Sequence, residues 1–296
     1  MRILRAGIPM LLMLLVLLVS GVSTAETETE LHASRALSSA FSLLEEGNPF
    51  LERYNRITGE NVRARMKQGV PYFWGARAES HLFAKEPDYI VQAAWQNSPA
   101  YYRAGQKYLY GFDCVGFAAW VWKQASGTEM PSLAALFRDR ANHIRNTWTG
   151  EGPLWDQMTE ELKPGDMLLL RHARSSHIAI YIGTPGMFGY TAAEVPELAG
   201  SLDAPLLIHC SVNAQIADRF ADLIRNGLPK YRCATVTDGG VCVTLLVSDA
   251  RSAPQMVHQQ NQDTRYYVLP DGTWLTVLGT ENEAEYCWYP GPKEKQ

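Results

Sequence analysis

The chain has 296 residues, of which 46% are hydrophobic and 20% are charged, a composition typical of globular proteins with a sizeable core. Its formal net charge is −4 at pH 7, and no stretch of basic residues alternates with aromatic ones. The length allows one large domain or two smaller ones, and the charge pattern argues against nucleic acid as a partner.

Residues 1–25 have the features of a secretory signal peptide. Arg2 and Arg5 form a basic start, an unbroken apolar run extends from Met10 to Val19, and small residues follow up to Ala25. The alternative is a membrane anchor, but the run is shorter than the roughly 18 apolar residues that a membrane span needs. The sequence therefore predicts an exported protein, extracellular or in the cell envelope, without a stable membrane anchor.

The chain contains five cysteines. In an exported protein an odd number indicates one thiol outside any disulfide, and Cys114 is the candidate. The remaining cysteines allow up to two disulfides in three connectivities. They are Cys210, Cys233, Cys242 and Cys287. The alternative is that all five are reduced and buried. No Cys-x-x-C pair is present, which argues against a structural zinc site.

Residues 33–69 are predicted to be helical, because their apolar residues recur at helical spacing. Pro49 suits the first turn of a helix, and Gly59 and Gly69 are expected to end helices. We assign residues 26–66 to an N-terminal helical arm.

The segment GFDCVGFAAW, residues 111–120, leads into another helical pattern. Apolar residues form one stripe of a helix predicted over residues 114–125, and Gly127 follows it. Cys114 would then lie at a helix N-terminus, an environment that lowers the pKa of a thiol. The alternative is a small apolar side chain in the core.

The second half of the chain has the pattern of β-strands. Strands are predicted over residues 167–170, 177–182, 204–212 and 241–247, followed by a hairpin over 265–278 around a Pro-Asp-Gly turn. Helices followed by strands indicate an α+β fold without parallel strand–helix alternation. We place a catalytic domain at residues 67–247 and a β-rich C-terminal extension at residues 248–296.

A cysteine nucleophile needs its thiolate, whereas a thiol with a pKa of about 8.5 is mostly protonated at neutral pH. A nearby imidazolium can lower that pKa, and His177, at the start of a predicted strand, is the candidate. A third group should orient this histidine. His209 on the next strand is the first choice and Asn213 the reserve. The structural alternatives are a buried cysteine, a solvent-exposed histidine at a strand end and a hydrogen-bonded histidine in the core.

Five short segments occur in order between residues 70 and 211: PYFWGA, FDCVGF, LKPGDMLLL, SHIAIYIG and LIHCS. Together they resemble the motifs of the NlpC-type superfamily of bacterial cell-wall cysteine peptidases. The resemblance implies a papain-like α+β fold, in which the helix that carries the nucleophile packs on an antiparallel sheet.

The resemblance also implies roles for individual residues. Cys114 corresponds to the nucleophile, His177 to the base, and His209 to the third, orienting residue. Tyr72 corresponds to a tyrosine that lines the site and assists the oxyanion. Asp113 corresponds to an aspartate that, in some members, helps to hold the free amine of the substrate peptide. No metal or cofactor is implied.

The sequence departs from the family pattern at several places. Val115 replaces the usual serine after the cysteine, and Ala76 replaces the second glycine of the first motif. Recognition of a substrate amine therefore stays open. Residues 78–107 and 184–205 are longer than the corresponding segments of compact members, and they are either walls of a substrate groove or surface decoration.

The resemblance implies an exported cysteine endopeptidase that hydrolyses peptidoglycan stem peptides. The expected bond joins γ-D-glutamyl to a diamino acid, and the expected intermediate is a thioester acyl-enzyme. One alternative is an amidase or acyl transferase on another envelope substrate. A second is a non-catalytic binding module of the same fold, against which the intact Cys114, His177 and His209 argue.

Overall fold

A computed structural model describes much of the chain. The described residues are 28–67, 69–70, 72, 90–92, 107–109, 111–132, 146–149, 160, 162–172, 175–211, 240–247, 258–259, 265–270, 274–279 and 285–289. The predicted signal peptide, most of the 78–107 segment, Ala76, Asn213 and Cys233 lie outside this set.

Two helices form the N-terminal part of the described structure. α1 spans Glu28–Phe41 and α2 spans Pro49–Thr58. Asn48 caps α2, because its side-chain oxygen accepts a hydrogen bond from the Phe50 N–H at 3.0 Å. Gly59 ends α2 in the left-handed conformation at φ 76°, so the predicted stop there is confirmed.

The prediction of further helix between Gly59 and Gly69 is wrong. The Asn55 side chain accepts a hydrogen bond from the Val62 N–H and donates one to the Val62 carbonyl, both at 2.9 Å. These two bonds satisfy backbone groups of Val62 without a helix. Gly69 instead closes a turn, in which its N–H donates to the Met66 carbonyl at 2.9 Å.

The helix predicted over residues 114–125 is confirmed. α3 spans Cys114–Ser126 and begins with the candidate nucleophile. The Asp113 Oδ1 atom accepts a hydrogen bond from the Gly116 N–H at 2.6 Å and caps the helix. The apolar stripe is buried and consists of Phe117, Ala118, Trp120, Val121, Trp122 and Ala125.

The strands have the following bounds: β1 Ile90–Gln92, β2 Lys107–Leu109, β3 Asn146–Thr149, β4 Met167–His172, β5 Ser175–Gly183, β6 Leu206–Ser211, β7 Gly240–Val247, β8 His258–Gln259, β9 Arg265–Val268, β10 Trp274–Gly279 and β11 Glu285–Tyr289. The strands predicted in the second half of the chain are confirmed. β5 begins two residues before His177, so that residue lies within the strand and does not open it.

β1 and β2 pair with each other, and the other nine described strands form one sheet in the order β3-β11-β4-β5-β6-β7-β10-β9-β8. Helices packed on this sheet confirm the α+β class. The sheet expected to be antiparallel is so from β3 to β7, and β10 runs parallel to β7. β9 and β10 form the predicted hairpin, and its second strand lies against β7, which fixes the parallel direction.

Both N-terminal helices share a hydrophobic core with α3 and the central strands. Phe41 of α1 stacks on Tyr54 of α2, with ring centroids 4.3 Å apart. α1 also packs directly against α3. Residues of the predicted helical arm thus contribute to the same core as residues of the predicted catalytic domain.

Arg53 of α2 holds the 184–205 segment against the N-terminal helices. Its Nη1 atom donates to the Phe188 carbonyl at 3.1 Å, and its guanidinium pairs with Glu194. The guanidinium carbon also lies 3.7 Å from the centroid of the Tyr190 ring. This part of the segment is integrated into the fold, which favours a structural role over that of a groove wall.

The Pro164-Gly165-Asp166 turn before β4 approaches α1 closely. Gly165 has φ 98°, and a Cβ atom added to it would lie 2.9 Å from the Ala33 Cβ atom. The Asp166 carboxylate closes the turn by accepting a hydrogen bond from the Lys163 N–H at 3.0 Å. Backbone conformation and contact distance both require glycine at this position.

We expect Gly165→Ala to lower the free energy of unfolding by about 2–4 kcal/mol, because the added methyl group meets Ala33 and the backbone is left-handed. Gly127→Ala is the matched control: Gly127 has φ 71°, but no atom lies within 4 Å of its Cβ position. The control should lose only about 1–2 kcal/mol. Urea unfolding measures both, and equal losses would contradict the contact with α1.

Candidate active site

Cys114 lies where the N-terminus of α3 meets the central sheet. The backbone N–H groups of Cys114, Val115 and Ile178 are positioned to donate to its sulfur. Ile178 directly follows His177 on β5, so the sulfur lies beside the strand that carries the candidate base. The sulfur thus contacts the backbone of the residue that follows the candidate base in the sequence.

Burial raises the pKa of the Cys114 thiol to about 11, and the adjacent Asp113 carboxylate acts in the same direction. The three N–H donors lower the pKa but are outweighed. The helix N-terminus thus lowers the pKa of the thiol as expected, but desolvation of the thiolate is the larger effect and the net shift is upward. At neutral pH the thiol is protonated, and a base must remove its proton during attack.

A chain of hydrogen bonds connects His177 to the interior of the sheet. The Nε2 atom of His177 lies 2.6 Å from the Nδ1 atom of His209. On the other side of that ring, Nε2 of His209 lies 2.7 Å from the Thr244 hydroxyl. His177 is partly exposed, whereas His209 and Thr244 are buried. We call these three residues the His–His–Thr relay.

Strand register explains why the relay forms. Tyr181 of β5 pairs with Leu207 of β6, which in turn pairs with Thr244 of β7. Because side chains alternate along a strand, His177 and His209 lie on the same face as Thr244. The alternate residues of β5, β6 and β7 face the core that contains α3.

Thr244 is a member of the site that the sequence analysis missed. The strand VCVTLLV has a single polar residue among apolar ones, which indicates a buried hydroxyl with a partner. That signal alone could not name the partner, since His209 belongs to another strand.

His209 is held in its neutral form. Burial lowers its pKa well below the ordinary value of 6.5, and the charge of His177 acts in the same direction. A neutral imidazole has one donor and one acceptor nitrogen. His209 can therefore accept from one member of the relay while it donates to the other, and an imidazolium on His177 keeps a neutral neighbour.

The depressed pKa of His209 predicts a loss of stability in acid. Below pH 6.5 the unfolded chain binds a proton at this residue and the native protein does not, so the free energy of unfolding falls with decreasing pH. The expected slope from this site is about 1.4 kcal/mol per pH unit. Denaturant unfolding of the wild type and His209→Gln at several pH values measures it. Parallel curves between pH 5 and 6.5 would contradict the depressed pKa.

Tyr72 and Asp113 flank the nucleophile in different ways. Tyr72 is buried and forms a parallel bridge with Phe112, two residues before Cys114. The Cys210 thiol donates to the Phe112 carbonyl at 3.1 Å and holds this segment against β6. Asp113 is the N-cap of α3 and raises the pKa of the nucleophile. These contacts give Asp113 a structural task, and binding of a substrate amine stays a prediction.

Cys114, Cys210 and Cys242 are reduced in the structure. For Cys210 and Cys242 the alternative of reduced, buried cysteines therefore holds, and the connectivities that include them do not. Cys210 donates to a backbone carbonyl, and Cys242 lies 3.6 Å from the Thr244 hydroxyl. Cys233 and the Cys287 side chain lie outside the described part of the chain, so a disulfide between them stays a prediction.

Among the described residues, no cluster of three or more His, Cys, Asp or Glu side chains could hold a metal ion. None of the helices within the same residues is long and apolar enough to span a membrane.

A comparison with known protein families matched residues 69–197 to the NlpC/P60 family. The matched segment contains Tyr72, Asp113, Cys114 and His177, and it ends before His209. No curated protein and no solved structure gave a significant match. The family supports a papain-like core and hydrolysis of cysteine-peptidase type in the cell wall. The match over residues 69–197 supports membership of the NlpC-type superfamily of cell-wall cysteine peptidases.

Proposed function

We propose that the protein is a cysteine endopeptidase that hydrolyses peptidoglycan stem peptides at the bond between γ-D-glutamyl and a diamino acid. The observation that carries the proposal is the hydrogen bond between His177 and His209, in a chain that also has a helix-terminal cysteine and matches this family over residues 69–197. A nucleophile, a base and a group that orients the base are the parts that such catalysis needs.

The reaction begins with a neutral thiol. His209 is bonded to Nε2 of His177, so the proton of Cys114 passes to Nδ1 of His177 as the sulfur attacks the carbonyl carbon. The negative charge then develops on the carbonyl oxygen. The backbone N–H of Cys114 stabilises this oxyanion, and Tyr72 assists from the adjoining segment.

The tetrahedral intermediate collapses when the C–N bond breaks. The imidazolium of His177 gives its proton to the leaving amine of the diamino acid, and a thioester on Cys114 remains. Neutral His177 then takes a proton from water, which attacks the thioester. The γ-D-glutamyl carboxylate leaves, and the thiol recovers its proton from His177.

Digestion of purified peptidoglycan tests the proposed bond. The wild-type protein should release peptides that begin with the diamino acid, and mass spectrometry identifies them. The Cys114→Ala variant under the same conditions is the control. Release of intact stem peptides from the glycan would indicate an amidase, and a peptide joined to a new amine would indicate an acyl transferase.

We further propose that the protein is exported and acts outside the cytoplasm. The support is the basic start, the short apolar run and the small residues before Glu26. Sequencing the N-terminus of the protein from the producing cell should give a chain that begins close to Glu26. Residues 2–20 retained on membrane-bound protein would contradict this proposal.

A further inference from the structure

The direction of the hydrogen bonds at the buried end of the His–His–Thr relay matters for proton transfer. Thr244 is 3% exposed, and its hydroxyl lies within hydrogen-bonding distance of two side chains of the site. Nε2 of His209 lies at 2.7 Å, and the sulfur of Cys242 lies at 3.6 Å. A hydroxyl can accept from one of these groups while it donates to the other.

Two arrangements of protons fit these distances. In the first, Nε2–H of His209 donates to Thr244, and the bare Nδ1 of His209 accepts from Nε2–H of His177. Nδ1 of His177 then has a lone pair and can accept the proton of Cys114. In the second, Thr244 donates to His209, Nδ1–H of His209 donates to His177, and the proton of His177 sits on Nδ1. That tautomer cannot accept the thiol proton at Nδ1.

We propose that Thr244 is a positioning residue that selects the first arrangement by accepting the proton of Nε2 of His209 while donating to the Cys242 sulfur. The nitrogen that carries the proton on His209 then determines which nitrogen carries the proton on His177. The proposal rests on the proposed function, since it concerns the base of that reaction, but it makes a claim about tautomers that needs no substrate.

Removal of the hydroxyl should reverse the preference. In Thr244→Val, an Nε2–H on His209 would be buried without its acceptor, and a buried donor without a partner is costly. The proton then moves to Nδ1 of His209, and His177 takes the tautomer that cannot act as base. We expect kcat to fall about 10- to 100-fold with little change in KM.

Thr244→Ser is the rescue variant, because it keeps the hydroxyl and should restore kcat to within about 3-fold of the wild type. Ser42→Ala is the control for the loss of a buried hydroxyl elsewhere. Ser42 is 7% exposed, lies in the turn after α1 and donates to the Ser39 carbonyl at 2.6 Å, so it takes no part in the relay. It should lose stability and leave kcat unchanged.

The tautomer can be observed directly on the full chain labelled with ¹⁵N-histidine. The ¹⁵N shifts of a protonated and a bare ring nitrogen differ, and His209→Gln assigns the signals. His209 should carry its proton on Nε2 in the wild type, Thr244→Ser and Ser42→Ala, and on Nδ1 in Thr244→Val. Cys242→Ala should shift the tautomer ratio in the same direction as Thr244→Val, but less.

A wild-type His209 protonated on Nδ1 would overturn the proposal, and so would a Thr244→Val variant with unchanged tautomer and kcat. The wild-type spectrum tests the proposal even if Thr244→Val does not fold. If the wild type shows the expected tautomer but cleaves no stem peptide, the proposed function fails and the role of Thr244 stands.

Discussion

Replacing Cys114 with serine should lower kcat for stem-peptide hydrolysis by at least about 10³-fold. A serine hydroxyl is a much weaker acid than a thiol, and His177 is not a strong enough base to ionise it during attack. Burial raises the pKa of the Cys114 thiol to about 11, so even the natural nucleophile needs a base to remove its proton. Mass-spectrometric peptide release from purified peptidoglycan measures the loss.

Cys210→Ser is the matched control for this substitution. Cys210 is also a reduced thiol, and a serine hydroxyl can make the same hydrogen bond to the Phe112 carbonyl. This variant should keep most of the activity. Substantial hydrolysis by Cys114→Ser would show that another group attacks the carbonyl.

Replacing His177 with alanine should lower kcat by about 10²- to 10⁴-fold, the range that a general base contributes. It should also change how the reaction of Cys114 with iodoacetamide depends on pH. In the wild type His177 can accept the thiol proton, so the reaction proceeds at neutral pH. In His177→Ala only the bare thiolate reacts, and the rate should keep rising towards a pKa of about 11.

His209→Ala is the comparison variant for His177→Ala. His209 touches the base and not the reacting sulfur, so we expect a milder loss of about 10- to 100-fold. The losses of the double variant should not add, because the groups act as one unit. An alkylation profile that is the same in the wild type and His177→Ala would contradict the role of His177 as base.

Local features of the structure could be predicted from the sequence. The α3 helix follows from an apolar stripe between the capping residue Asp113 and Gly127, and these signals lie within a few residues of one another. His177 and His209 were candidates from the strand pattern and from the family resemblance, and the structure places Nε2 of His177 2.6 Å from Nδ1 of His209.

Features that depend on contacts between distant segments could not be predicted. Thr244 joins the relay through the register of β6 and β7. The parallel pairing of β10 with β7 depends on which strand of the β9–β10 hairpin pairs with β7. The pKa of Cys114 depends on how much water the folded site excludes, and the raising effect of burial exceeds the lowering effect of the helix N-terminus. The path of the backbone after Gly59 depends on hydrogen bonds between the Asn55 side chain and the Val62 backbone.

The position of β11 has a consequence for how the protein folds. β11 lies between β3 and β4, so β4, which carries the turn that meets α1, obtains one of its neighbours from the far end of the described chain. Such non-local pairing slows folding, because the intervening loop must close before the contact is made. Until residues 285–289 arrive, the edges of both β3 and β4 can pair with other chains. A chain shortened before Glu285 should therefore aggregate during refolding at concentrations where the full chain recovers.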